Sequence, residues 1–207
     1  MAAKFYLCDM TIIYLHGFNS DGGGYKYDQL CDFFQTGTIL SPDLDAEPMK
    51  VVGQIDQLLT TLSLPVYLVG TSLGGFYAMY FSARLNVPCF LYNPSLQPHL
   101  TLHRGIGRHQ TFMKGRDYHF KATYLPVFGQ LKREADAVLR PENLNFFLAT
   151  DDDVLDLKPI PGRFPNANHL SWHKNAAHGF SKFKETLPVV KTLLSAYQSV
   201  QKTQVRM

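Results

Sequence analysis

Cysteine is scarce and unpatterned in this chain of 207 residues. Cys8, Cys31 and Cys89 show no CxxC spacing, so neither a disulfide framework nor a zinc module is indicated. Such usage suits a reduced, cytoplasmic compartment. Charge is sparse as well. Only 18% of residues are charged, and 20 Lys+Arg against 17 Asp+Glu leave a net +3. That is far from the charge density of a dedicated nucleic-acid binder, and no nucleic-acid partner is expected. No uninterrupted apolar run reaches the roughly 18 residues of a transmembrane helix, which excludes a membrane span. Asp9 breaks the apolar stretch after Lys4 before a signal-peptide core could form, so no targeting segment is expected. Internal repeats and low-complexity tracts are also missing.

Core-forming material is abundant. Hydrophobic residues make up 45% of the chain, with 15 Phe, 11 Tyr and one Trp. The length favours a single domain over residues 1–207. Short β-branched and aromatic runs predict strands at Thr11–Leu15, Thr38–Leu40, Val66–Val69, Cys89–Tyr92, Asn145–Ala149 and, more weakly, His169–Trp172. Helical spacing of apolar residues predicts helices over Tyr25–Phe34, Met49–Leu62, Gly74–Leu85 and Phe180–Tyr197. Val66–Val69 is too continuously apolar for a half-exposed strand. Strands alternating with helices argue an α/β fold with a mainly parallel sheet and helices on both faces. Residues 95–143 break this rhythm and read as an inserted cap. Ser20–Gly24 reads as a flexible glycine-rich loop, and the polar tail from Gln198 to Met207 as frayed.

The strongest motif is Gly70-Thr71-Ser72-Leu73-Gly74, a G-x-S-x-G between a predicted strand and a predicted helix. Such a turn strains its serine and projects Oγ above the sheet, and a Cβ at either glycine would collide with neighbouring backbone. The helix N-terminus beyond it favours developing negative charge. A serine hydroxyl needs a base. Farther along, acids cluster in Asp151-Asp152-Asp153 after a predicted strand, and His178 lies in a loop before the last helix.

The order Ser…Asp…His is that of the α/β-hydrolases. The segments Tyr14-Leu15-His16-Gly17-Phe18-Asn19-Ser20, Gly70 to Ala78, Asn93-Pro94, Asp152 to Asp156 and His178 together resemble the YqiA-like bacterial esterases, which are small α/β-hydrolases. The resemblance runs from about Thr11 to the final helix and is weak through the cap. It implies Ser72 as nucleophile, His178 as general base and acid, and Asp152 as the orienting carboxylate, with Asp151 and Asp153 as alternatives. That family has glycine before its acid where this chain has Asp151. The resemblance also implies an oxyanion hole built from the backbone N–H groups of Phe18 and Leu73, with Gly17, Gly70, Gly74 and Gly75 shaping the two loops. His16 reads as a packing residue that braces its loop, and Asn93-Pro94 as a turn.

The expected activity is hydrolysis of carboxylic esters, with acyl thioesters as a further class, by a serine esterase without cofactor or metal. The alternatives are C–C bond hydrolysis or cofactor-free peroxidation on the same fold, and a non-catalytic binding protein. The pairs His99/His103 and His169/His173 have no HExxH frame and read as scattered histidines. Residues 99–121 carry Arg104, Arg108, Lys114, Arg116 and Lys121 against Asp117. This excess reads as a solvated cap, or, more sharply, as a basic rim for an anionic carrier. Phe112, Tyr118, Phe120, Tyr124 and Phe128 are expected to cover the active-site mouth. Substrate, acyl preference and oligomeric state are left open by the sequence.

Overall fold

The computed structural model describes residues 10–35, 37–62 and 65–204, with side chains described as far as 199. Lys4, Cys8 and Asp9 lie outside the described residues. The chain runs β1 (Thr11–Leu15), α1 (Tyr25–Phe33), β2 (Thr38–Leu40), α2 (Pro48–Thr60), β3 (Val66–Thr71), α3 (Leu73–Leu85), β4 (Cys89–Tyr92) and α4 (Pro98–Thr101). It continues through β5 (Gly107–Gln110), β6 (Asp117–Phe120), α5 (Tyr124–Asp136), β7 (Leu144–Ala149), α6 (Ile160–Arg163), β8 (His169–His173) and α7 (Phe183–Gln204).

Six strands form one sheet in the order β2-β1-β3-β4-β7-β8, and every pairing in it is parallel. The four central strands are buried along their whole length, yet each serves two cores, because successive side chains leave opposite faces. Ile13 and Leu15, Leu68, Leu91, Phe146 and Leu148 enter one core, which α2, α3 and α5 cover through Val51, Phe81 and Phe128. Ile12 and Tyr14, Tyr67, Phe90 and Phe147 enter the other, which α1 and α7 cover through Leu30, Leu187 and Leu194. Each large side chain so buried contributes about 1.5–3 kcal/mol. This two-sided burial is why the strands read as unbroken apolar runs.

Parallel strands place all their C-terminal ends on one edge, where sites in such sheets are built. His16, Ser72, Asn93 and Thr150 each follow the end of a strand there.

The segment 95–143 divides into two parts. Tyr124–Asp136 packs on α3 and buries Leu125, Phe128 and Leu131 against the sheet, making it the crossover helix between the neighbouring strands β4 and β7. The part outside the βα pattern is α4, a 3-10 turn at Leu102–Gly105 and the antiparallel hairpin β5–β6.

Two expectations need correction. The tail is helical as far as Gln204, where Leu194, Tyr197 and Gln198 continue one inward face at helical spacing, and residues 205–207 lie outside the described residues. Ser20–Gly24 is pinned rather than free: the Gly22 N–H donates to Asp43 Oδ1 at 2.7 Å and the Gly23 N–H to Ser41 Oγ at 2.9 Å. Asp21 within it is fully buried.

Candidate active site

Ser72 joins β3 to α3 with φ 54° and ψ −118°, a backbone region in which non-glycine residues are strained. Its neighbours hold it there. The Ser72 N–H donates to Tyr92 O at 3.0 Å, and Ser72 O accepts from the N–H groups of Gly75 and Ser95, each at 3.0 Å. The turn also needs space. A Cβ on Gly74 would lie 1.9 Å from Leu15 O, and one on Gly70 would lie 2.3 Å from Gly74 O. Both obstacles are backbone atoms that have no rotamer to escape into. Gly74→Ala is therefore expected to cost more than about 4 kcal/mol, read as a collapse of the urea midpoint followed by circular dichroism. An unchanged midpoint would refute this packing.

The His16 loop closes over the turn. The Leu44 N–H donates to His16 Nε2 at 3.0 Å, which leaves the ring proton on Nδ1 to donate to Gly17 O at 2.9 Å. Burial pulls the imidazole below its usual pKa, against an opposing pull from the Gly17 carbonyl. The ring is thus a neutral brace. It forms no hydrogen bond with Ser72.

His178 reaches Ser72 from a loop 106 residues farther along the chain. Its Nε2 lies 2.9 Å from Ser72 Oγ, and its Nδ1 lies 2.8 Å from Asp152 Oδ2 and 3.0 Å from Oδ1. A proton on Nδ1, facing the carboxylate, leaves Nε2 as an acceptor for the serine hydroxyl. The Asp152 side chain is 2% exposed and that of His178 22%. Burial alone would raise the Asp152 carboxyl, but bonds from His178 and from the N–H groups of Leu155 and Val154 outweigh it and hold it below its ordinary range.

Of the three clustered acids, Asp152 alone meets His178. Asp153 is exposed. Asp151 accepts the Ala176 N–H at 3.1 Å and the Ala177 N–H at 3.2 Å. It thereby fastens a loop in which Asn175, Ala177 and Phe180 all have positive φ.

Asn93 fastens the same loop from the other side. Fully buried, it donates from Nδ2 to Ala177 O and His178 O, both at 2.9 Å, and accepts the Ala149 N–H at 2.8 Å. The sequence suggests only a turn at this asparagine. The available signal was a lone polar side chain at the end of a wholly apolar strand.

Gly17, Phe18 and Leu73 line a cavity of about 210 Å³ together with Tyr77, Tyr118 and Phe120. Neither Ser72 nor His178 forms its wall, so Gly17 and Leu73 are the junction between cavity and serine. Leu73 begins α3, where a backbone N–H has no acceptor within the helix. The aromatics expected over the mouth are divided. Tyr118 and Phe120 line the cavity, Phe128 is core, and Phe112 is 80% exposed at the hairpin tip. Two cations of the β5–β6 turn are paired with acids in the loops after β1 and β2, Arg116 with Asp21 and Lys114 with Asp43, each at 2.8 Å. His169 and His173 lie on one face of β8, where each hydrogen-bonds Ser171.

The family model of the Uncharacterised protein family (UPF0227) matches residues 11–195. Among solved structures, Est1E from Butyrivibrio proteoclasticus superposes with a TM-score of 0.70 at 13% identity, over 95% of this chain and 90% of that one. Alpha/beta hydrolase domain-containing protein 10 from mouse gives 0.64 at 12%, over 90% of each chain. The monoacylglycerol lipase of Paleococcus ferrophilus gives 0.61 at 12%, over 89% and 94%. With the parallel six-stranded sheet, these likenesses make the fold that of an α/β-hydrolase. Among the described residues, no helix is long and apolar enough to cross a membrane.

Proposed function

The chain belongs to the Uncharacterised protein family (UPF0227), and we propose that it is a serine esterase acting on small-molecule carboxylic esters, with acyl thioesters as a second substrate class. The observation that carries this reading is the unbroken hydrogen-bonded chain from Ser72 Oγ through His178 to Asp152, set on a strained strand–helix turn. Ser72, His178 and Asp152 are its catalytic triad. Ser72 Oγ attacks the carbonyl carbon while its proton passes to His178 Nε2. The oxyanion is held by the N–H groups of Phe18, which lines the cavity, and of Leu73, which follows the serine. The leaving alcohol or thiol takes the proton from His178, leaving an acyl-enzyme. Water then attacks it, His178 accepting its proton; the acyl–Oγ bond breaks, His178 returns the proton to Ser72 Oγ, and the carboxylic acid departs.

Asp152 stays charged throughout, orienting the imidazole and stabilising the imidazolium. The cavity accepts the substrate's apolar portion between Tyr77, Tyr118 and Phe120. The hairpin part of residues 95–143 serves as the cap. Arg116 and Lys114 are already paired, which leaves Arg104, Arg108 and Lys121 as the exposed cations of residues 99–121 outside those pairs.

A fluorophosphonate probe tests the chemistry on the intact protein. A single covalent adduct is expected, mapped by peptide mass spectrometry to Ser72. An unlabelled protein, or an adduct elsewhere, would sink the proposal. A panel of aryl esters of graded acyl length then reads out the acyl preference of the cavity.

A further inference from the structure

We propose that the hairpin β5–β6 and the loop carrying Phe18 form one mechanical unit, with Asp21 as the positioning residue that locks them together. The inference rests on the esterase reading, because it makes the oxyanion donor at Phe18 depend on the cap.

The hairpin grips three of the four residues from Phe18 to Asp21. The Phe18 ring meets His109 and Phe120 edge-on, each at 5.2 Å between centroids. A Cβ on Gly105 would lie 2.9 Å from that ring, so the 3-10 turn before the hairpin closes over it as well. Asn19, at φ 60°, accepts the Phe112 N–H at 3.1 Å through its carbonyl and the Tyr118 hydroxyl at 3.1 Å through Oδ1. Asp21 Oδ2 accepts the N–H groups of Met113 (3.2 Å) and Lys114 (3.0 Å), and Oδ1 accepts Arg116 Nε at 2.8 Å.

Beyond that grip the hairpin is held by Phe120, buried against Tyr124 and Phe128 of α5, and by the Lys114–Asp43 pair. Among the described residues its two strands pair only with each other, and a two-stranded ribbon is marginal by itself. Its outer face, with Arg108, Gln110, Asp117 and His119, is exposed. The Phe18 loop thus supplies most of the hairpin's polar contacts, and the hairpin's grip fixes that loop in return. Asp21 is suited to lock this joint. Burial alone would raise its carboxyl, but the Lys114 N–H, the Arg116 guanidinium and further donors hold it down at about 2. Such a shift maintains the lock above the ordinary carboxylate range near pH 4 and releases it only as pH falls towards 2.

The arrangement implies that the cap does more than cover the cavity. With the hairpin seated, the Phe18 loop that carries the proposed oxyanion donor is held in place. With the hairpin displaced, that donor is lost while Ser72, His178 and Asp152 remain assembled. Asp21 touches no substrate, so it acts through Phe18.

Asp21→Asn tests the lock, since an amide leaves one oxygen where two are needed. Hydrogen exchange by mass spectrometry is expected to accelerate by about tenfold or more in residues 18–21 and 107–118 together. For p-nitrophenyl acetate, kcat is expected to fall about 10²-fold, the effect of losing one oxyanion donor. KM should move less than about threefold, because that interaction is made in the transition state. Arg116→Lys, which keeps the charge but loses the Nε donor, is expected to give the same pattern at smaller amplitude, and serves if Asp21→Asn does not fold. Accelerated exchange confined to the hairpin, with kcat unchanged, overturns the proposal. The exchange readout needs no turnover. Coupled exchange in a protein that cleaves no ester would uphold the joint and refute the esterase reading.

Discussion

Replacing Ser72 by alanine is expected to lower kcat for ester hydrolysis by about 10⁶-fold, the loss seen when a triad nucleophile is removed. The variant should fold normally. Among the described residues, the only side-chain hydrogen bond of Ser72 goes to His178, and the bonds that impose its positive φ are made by its backbone. Alanine retains the Cβ that Gly17 packs towards, so binding in the cavity should persist and KM should change little. The residual rate should still exceed the uncatalysed one by about 10³–10⁴, the share that oxyanion donors and binding supply without the nucleophile. Stopped turnover alongside an unchanged urea midpoint is the expected pair of results. Full turnover by the variant would mean that another group attacks the ester.

The parts legible in the sequence were those set by local spacing. Strands such as Val66–Thr71 announce themselves because both faces are covered, and the G-x-S-x-G turn because backbone clashes at Gly70 and Gly74 leave no alternative residue. The hairpin β5–β6 was invisible for the opposite reason. Gly107-Arg108-His109-Gln110 has no apolar alternation, since its inward His109 stacks on Tyr118 rather than entering an aliphatic core. Helix α5 was hidden within the same stretch, although its apolar face closes the core beside α3.

The long-range pairs were beyond reach of any spacing rule. Asp21 and Arg116 are 95 residues apart in the chain, and the glycines beside Asp21 made its loop look slack. Asn93 spans to Ala177 and His178 across 84 and 85 residues. In each case a buried polar side chain ties two segments whose proximity only the fold creates. Two of the five cations over 99–121, Lys114 and Arg116, likewise find partners outside that segment, Asp43 and Asp21.

The three clustered acids can be separated by one substitution at each. Asp152→Asn is expected to lower kcat about 10⁴-fold, as when a triad carboxylate becomes an amide. The local bonding shows why the amide should be so damaging. Oδ1 accepts the N–H groups of Val154 at 2.9 Å and Leu155 at 2.8 Å. An asparagine must therefore put its carbonyl oxygen there and its NH₂ where Oδ2 meets His178 at 2.8 Å. The NH₂ is a donor, so His178 Nδ1 becomes the acceptor and the ring proton moves to Nε2. Nε2 then donates towards Ser72 Oγ and has no lone pair to take the hydroxyl proton. Geometry is preserved while the proton sits on the wrong nitrogen. Asp151→Asn removes at most one of two loop bonds and should cost no more than about tenfold, the loss of roughly one modest hydrogen bond. Asp153→Asn, at an exposed carboxylate, should leave kcat within the small range of surface substitutions. Steady-state kinetics on the three variants distinguishes them directly. A larger loss at Asp151 or Asp153 than at Asp152 would move the orienting role to that residue and break the chain from Ser72 through His178 to Asp152.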